Sequence, residues 1–176
     1  MALLTLPSGV VPAEGLTDYV YGLVQQINSN FFQAPLTPVS AGATYTATSA
    51  SNGGTILLNT AAGSVVTLPA ASGSGNRFRF IVTTTTTSGA HKILAASSSD
   101  FMNGIAYGFN GSTAKVFASA AATNHSIQMP FAGSQPSGGF IGDWFEVTDV
   151  AANLWQVSGF YQAGTTPTTP YSSATT

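Results

Sequence analysis

The chain has 176 residues, of which 44% are apolar and 6% charged, with no cysteine and a formal net charge of −2. Four Lys and Arg cannot make the basic footprint that nucleic acid or an anionic membrane requires, and without cysteine there is no disulfide, thiolate metal site or cysteine nucleophile. A disordered chain pairs low hydrophobicity with high charge; this one has neither, its length suits one domain with a real core, and its Ser/Thr/Gly-rich remainder reads as structural rather than catalytic.

Residues 1–12 read as an extended arm. Leu3, Leu4, Leu6, Val10 and Val11 are apolar, while Pro7, Gly9 and Pro12 deny the segment regular structure, so it either frays or docks on a partner. No basic residue opens the chain, Pro7 interrupts the apolar start, and no stretch reaches the ~18 apolar residues of a membrane span. The expectation is a soluble protein made in the cytoplasm.

Residues 13–30 hold one short amphipathic helix. Leu16, Tyr19, Val20, Leu23, Val24 and Ile27 fall on a single stripe, Asp18 favours the positive amino end, and Asn28-Ser29-Asn30 closes it. A helix of ~15 residues is marginal alone. Its stripe therefore packs on the rest of the chain or on copies of itself around an oligomer axis.

From residue 31 to residue 163 the period changes to two. A Thr-rich run around Tyr45, Thr46 and Thr48 ends in Ser51-Asn52-Gly53-Gly54, a turn signal. Residues 55–59 and 64–68 flank Thr60-Ala61-Ala62-Gly63 and read as a hairpin that Pro69 closes. Residues 77–83 form a strand with Phe78, Phe80 and Val82 on one face and Arg77, Arg79 and Ile81 on the other. Short strands follow at 92–95, 105–109, 114–118 and 126–129. The most hydrophobic pair, residues 143–148 and 154–157, makes a second hairpin, with Phe160 and Tyr161 extending it. Residues 164–176 read as a flexible polar tail. The expected fold is all-β, an antiparallel, jelly-roll-like sandwich or barrel with the arm and helix appended.

Catalytic chemistry is thin. His91 and His125 sit in polar, turn-like settings without a second ligand at metal spacing, and read as surface residues. On a strand, Asp143 and Glu146 fall on opposite faces, which argues against a carboxylate pair; with Asp149 they read as solubilising charges. Gly73-Ser74-Gly75 opens like a dinucleotide fingerprint, but a strand follows where a helix and its amide fan are needed. Trp144 and Trp155 could stack a sugar, yet their strand positions read as core. No catalytic residue, metal or cofactor is assigned. Sheet edges are usually blunted by charge, and few charges are present, so either the sheet closes or neighbours cover it.

Two stretches carry a family resemblance: Gly54 to Gly75 (GTILLNTAAGSVVTLPAASGSG), and Gly138 to Asp149 (GGFIGDWFEVTD) continuing to Leu154-Trp155-Gln156-Val157. Residues 50–162 resemble virion structural proteins of tailed bacteriophages, in particular head decoration (cement) proteins, with related sheets in fibres. The resemblance implies a β-rich, usually trimeric protein at three-fold positions on the capsid exterior, with the major capsid protein as partner and no catalytic residues to carry over. In that setting the arm would be the capsid contact, and the helix stripe a packing or trimer interface.

Overall fold

The structure is a computed structural model and describes residues 37–120, 122–130 and 137–175. The predicted arm and helix, and with them Leu3 through Val11 and Leu16 through Ile27, lie outside the described residues.

Strands β1 (Val39–Ser40), β2 (Thr44–Thr46), β3 (Thr55–Leu58), β4 (Val65–Thr67), β5 (Arg77–Val82) and β6 (Ala90–Leu94) alternate between two sheets. In the first, β1, β3 and β5 stack in parallel, with Ile56 beside both Val39 and Phe80. In the second, β2, β4 and β6 do the same, with Val66 beside both Tyr45 and Ile93. Among the described residues the chain thus lays down three two-strand coils, one on another.

This overturns the hairpin expected over residues 55–68. β3 and β4 do not pair; the Thr60–Gly63 turn is an arch that carries the chain from one sheet to the other. Ile56 and Leu58 on one side, and Val66 and Leu68 on the other, are all buried in a shared core. Alternation specifies which residues face inward, and a hairpin and an arch satisfy it equally.

Six more strands complete the twelve found among the described residues: β7 (Phe101–Phe109), β8 (Ala114–Ala118), β9 (Ser126–Pro130), β10 (Trp144–Ala151), β11 (Leu154–Gln162) and β12 (Tyr171–Ser172). The first sheet runs β1-β3-β5-β10-β11-β7-β8 and the second β12-β9-β6-β4-β2. Of ten pairings, five are parallel and five antiparallel. The all-β expectation stands, whereas the antiparallel, jelly-roll-like arrangement is replaced by two mixed sheets. Parallel neighbours need a long crossover. Here, for the stacked coils, the strand contributed to the other sheet is that crossover.

The inward faces follow the alternation. Phe78, Phe80 and Val82 are buried on β5, as their spacing predicts, and meet Phe145, Val147, Trp155 and Tyr161 from the β10–β11 hairpin and Ile93, Ile127 and Met129 from the second sheet. The Phe78 and Trp155 rings lie 5.9 Å apart. Gly159 faces Phe145 across the hairpin, and a side chain there would enter the Phe145 ring.

Residues 164–175 are not a loose tail. β12 pairs with β9, Tyr171 is buried, the Tyr161 hydroxyl donates to the Thr168 carbonyl, and the Gln128 amide donates to the Pro170 carbonyl. Threonine and proline make this stretch look disordered, but Pro167, Pro170 and Tyr171 are its buried anchors.

Candidate interaction surface

The ionisable groups that drew notice in the sequence are mostly committed to holding loops. Asp149, at the end of β10, is buried and accepts from the Ser72, Gly73 and Ser74 amides at 2.7–3.1 Å and from the Ser74 hydroxyl at 2.6 Å. The Gly73-Ser74-Gly75 turn therefore does present an amide fan, contrary to expectation, and the protein's own carboxylate fills it. Successive amides in such a turn make an anion cradle without a helix. Burial alone would raise the Asp149 pKa, but the Ser74 hydroxyl and these amides together outweigh it and hold the carboxyl at about 2.

Asp143 does the same at the other end of β10. It is buried and accepts from the Gly139, Phe140 and Gln162 amides at 2.8–3.0 Å. Here burial wins over the three amides and lifts the carboxyl to about 6. Of the three acids read as solubilising, only Glu146 is at the surface, ion-paired with Arg77; an exposed pair of this kind is worth under about 1 kcal/mol.

Neither histidine is a free surface group. His91 is fully buried: its Nδ1 accepts from the Ser64 amide at 2.9 Å, which makes Nε2 the donor to the Thr84 carbonyl at 2.9 Å. Burial pushes its pKa below 6.5. His125 is half-buried, bonded to the Asp100 carbonyl and stacked near Phe101.

The signs of these shifts differ. The folded pKa of Asp143 lies above its unfolded value near 3.8, so its contribution is complete below that pH and lost as pH rises through about 6. His91, with a lowered pKa, contributes above about 6.5 and loses that contribution on acidification. Urea denaturation of the native chain and of Asp143→Ala between about pH 4 and pH 6 is expected to show a less negative slope of stability against pH in the variant. Equal slopes would exclude Asp143 as a source of the pH dependence.

The feature that sequence reasoning missed is the outer face of the first sheet. Cross-strand register aligns Ile81, Trp144, Phe160, Tyr107 and Val116 in one row over β5, β10, β11, β7 and β8. At ~4.8 Å per strand the row spans roughly 19 Å. Tyr107 is 50% and Val116 61% exposed, and Ile105, Phe109 and Phe160 are exposed beside them. Trp155 is core as expected, whereas Trp144 is half-buried and faces outward with Arg79 over its ring at 5.3 Å.

β7 explains the inversion. Its inward positions are Met102, Gly104, Ala106 and Gly108, and its outward positions are Ile105, Tyr107 and Phe109. The large residues face out because the inner space is already filled: a side chain on Gly108 would strike the Tyr161 ring and Pro167. The legible signal was large residues alternating with Gly and Ala, which marks two usable faces with the bulk on one of them.

An apolar groove beside the row is lined by Ile105, Tyr107, Val150, Leu154 and Ser158. A polar groove lies along Gly53, Thr55, Arg77, Arg79 and Glu146. No group of three or more potential metal ligands occurs among the described residues. No family model, curated protein or solved structure matches this chain.

Proposed function

We propose that this protein is a non-enzymatic virion structural protein: a trimeric cement protein that binds the outside of an expanded phage capsid and stabilises contacts between major capsid proteins. The single observation that carries this reading is the outward apolar row from Ile81 to Val116 on an all-β body with so few charges, a surface suited to lattice neighbours. The buried Asp143, Asp149 and His91 support it, since each is spent on loop amides or carbonyls. We read the two sheets over one core as a sandwich, with the arm (Leu3, Leu4, Leu6, Val10, Val11) on the shell. The mechanism is linkage: a protein that binds only the expanded lattice stabilises it by its binding free energy, and many copies add avidity.

A second reading is favoured by one observation, the outward Trp144 under Arg79 beside the polar groove. The planar charged groups of that groove can bond sugar hydroxyls, and Trp144 offers a stacking face once Arg79 moves off it, as in a short trimeric head or tail fibre that grips host-surface glycans.

Copy number separates the two. A cement protein is expected at on the order of hundreds of copies per particle and on empty expanded capsids; a few copies by quantitative mass spectrometry would transfer the assignment to the fibre. Removing residues 1–12 is expected to abolish capsid binding while the far-ultraviolet circular dichroism of the β domain persists. Retained binding would place the capsid contact elsewhere.

A further inference from the structure

Among the described residues, four strands end the two sheets: β1 and β12 have two residues each, β2 has three, and β8 has five. Short edges are themselves a protection against unwanted pairing. β8 lacks it. Its sequence Ala114-Lys115-Val116-Phe117-Ala118 carries one charge, four of the five residues are exposed, and no strand pairs with its outer side among the described residues. Long, weakly charged edges left open recruit a neighbour.

This edge borders the apolar row. Ile105, Tyr107, Phe109, Val116 and Phe160, with Val150 in the adjoining groove, are each 37–61% exposed. With aromatic side chains near 150–250 Å², together they present roughly 500 Å² of apolar surface, at the upper end of what a lone soluble domain shows. A standard interface takes about 800 Å² from each partner, so this patch supplies most of one side. Its chemistry also discriminates. Obligate contacts between copies of one chain are the more apolar class, and charged groups are depleted from their centres; Lys115 is the one charged residue on β7 and β8.

We propose that the outer face of β11, β7 and β8, with the β8 edge, is covered by a second copy of this chain, packed about a symmetry axis near Tyr107 and Val116. One neighbour then covers the apolar row and answers the unpaired backbone of β8 together. The proposal rests on the self-association in the functional reading above, and is independent of its capsid partner.

The test uses the full chain. Light scattering after size exclusion is expected to give a multiple of 17.9 kDa for the native protein and the monomer mass for Tyr107→Lys/Val116→Lys. Both substitutions are at exposed positions, so circular dichroism is expected to be unchanged. Because the chain has no cysteine, Val116→Cys also reports proximity. Mild oxidation is expected to yield a disulfide-linked dimer on a non-reducing gel, and Ser99→Cys, exposed outside the two sheets, none. A monomeric native chain overturns the proposal, as does a lysine variant that keeps the native mass. A monomeric native chain whose lysine variant loses capsid binding assigns the face to the capsid instead, which overturns the second copy and the trimer and leaves only the capsid binding of the cement reading.

Discussion

Replacing Asp149 with alanine is expected to lower stability by about 2–4 kcal/mol, measured as urea unfolding at neutral pH. One carboxylate receives the Ser72, Gly73 and Ser74 amides and the Ser72 and Ser74 hydroxyls, and so joins a loop to a strand 75–77 positions later. Hydrogen bonds to a charged acceptor contribute more than neutral ones, on the order of 1.5–3 kcal/mol. The total is far below the sum of the contacts, because the Ser72–Ser74 loop is exposed and water can take over its amides. Asp149→Asn separates charge from shape: it keeps one acceptor oxygen but turns an amino group toward donors, and is expected to fall between alanine and the native residue.

The pH sign gives a second check. The folded pKa, about 2, is below the unfolded 3.8, so the contribution is complete above about pH 4 and is lost as pH falls through 2. The native chain is therefore expected to lose its advantage over the alanine variant toward pH 2. A loss under about 0.5 kcal/mol at neutral pH would mean that the loop holds itself without the carboxylate.

Gly63→Ala is expected to cost more than about 3 kcal/mol, or to prevent folding, for a reason that Gly42→Ala isolates. Both glycines have positive φ, 100° at Gly63 and 62° at Gly42. At Gly42 an added Cβ meets open space, so only the left-handed backbone penalty of about 1–2 kcal/mol applies. At Gly63 the same atom would land on the Ala90 backbone, and a Cβ on Gly89 would land on the Ala62 carbonyl. These are main-chain collisions between successive coils, which no side-chain rotation relieves. Thermal midpoints of the two variants should therefore separate clearly. Equal shifts would show that conformational strain, not coil contact, sets the cost at Gly63.

The sequence carried a good deal of this. Parity along β5 separates the buried Phe78, Phe80 and Val82 from Arg77 and Arg79, and the bounds of β8, 114–118, are the same in sequence and structure. The closing hairpin is also legible as two strongly apolar runs, although β10 runs on to Ala151 and confines the reversal to Ala152 and Asn153, inside the expected 149–153 connection. What failed was adjacency. Period two fixes the face of a residue and is silent on whether the next strand lies beside it or across the core. It is equally silent on which face is inside when both are furnished, as on β7.

The polar residues misled for a different reason. Asp143, Asp149 and His91 each find partners far away in sequence or on turn amides, and local composition cannot show that a carboxylate will be met by three N–H groups. The tail misled by the same route, since Pro167, Pro170 and Tyr171 act as anchors only once β9 and Tyr161 are beside them. The predicted helix, Leu16 through Ile27, and the arm fall outside the described residues.

The reversal of direction at β9 and β10 bears on how long this molecule is permitted to be. Three coils of parallel strands form an open-ended stack, and nothing in β1 through β6 says where to stop. The stop comes from outside the repeat: β10 runs against β5 in one sheet and β9 runs against β6 in the other, so the third coil is closed in both sheets by strands that cannot propagate it. Stacked architectures need such terminators to avoid indefinite growth or end-to-end association. The length of the stack and its closure are therefore encoded in separate stretches of chain. A related protein could gain or lose a coil ahead of Arg77 without redesigning the β9 and β10 strands that end it.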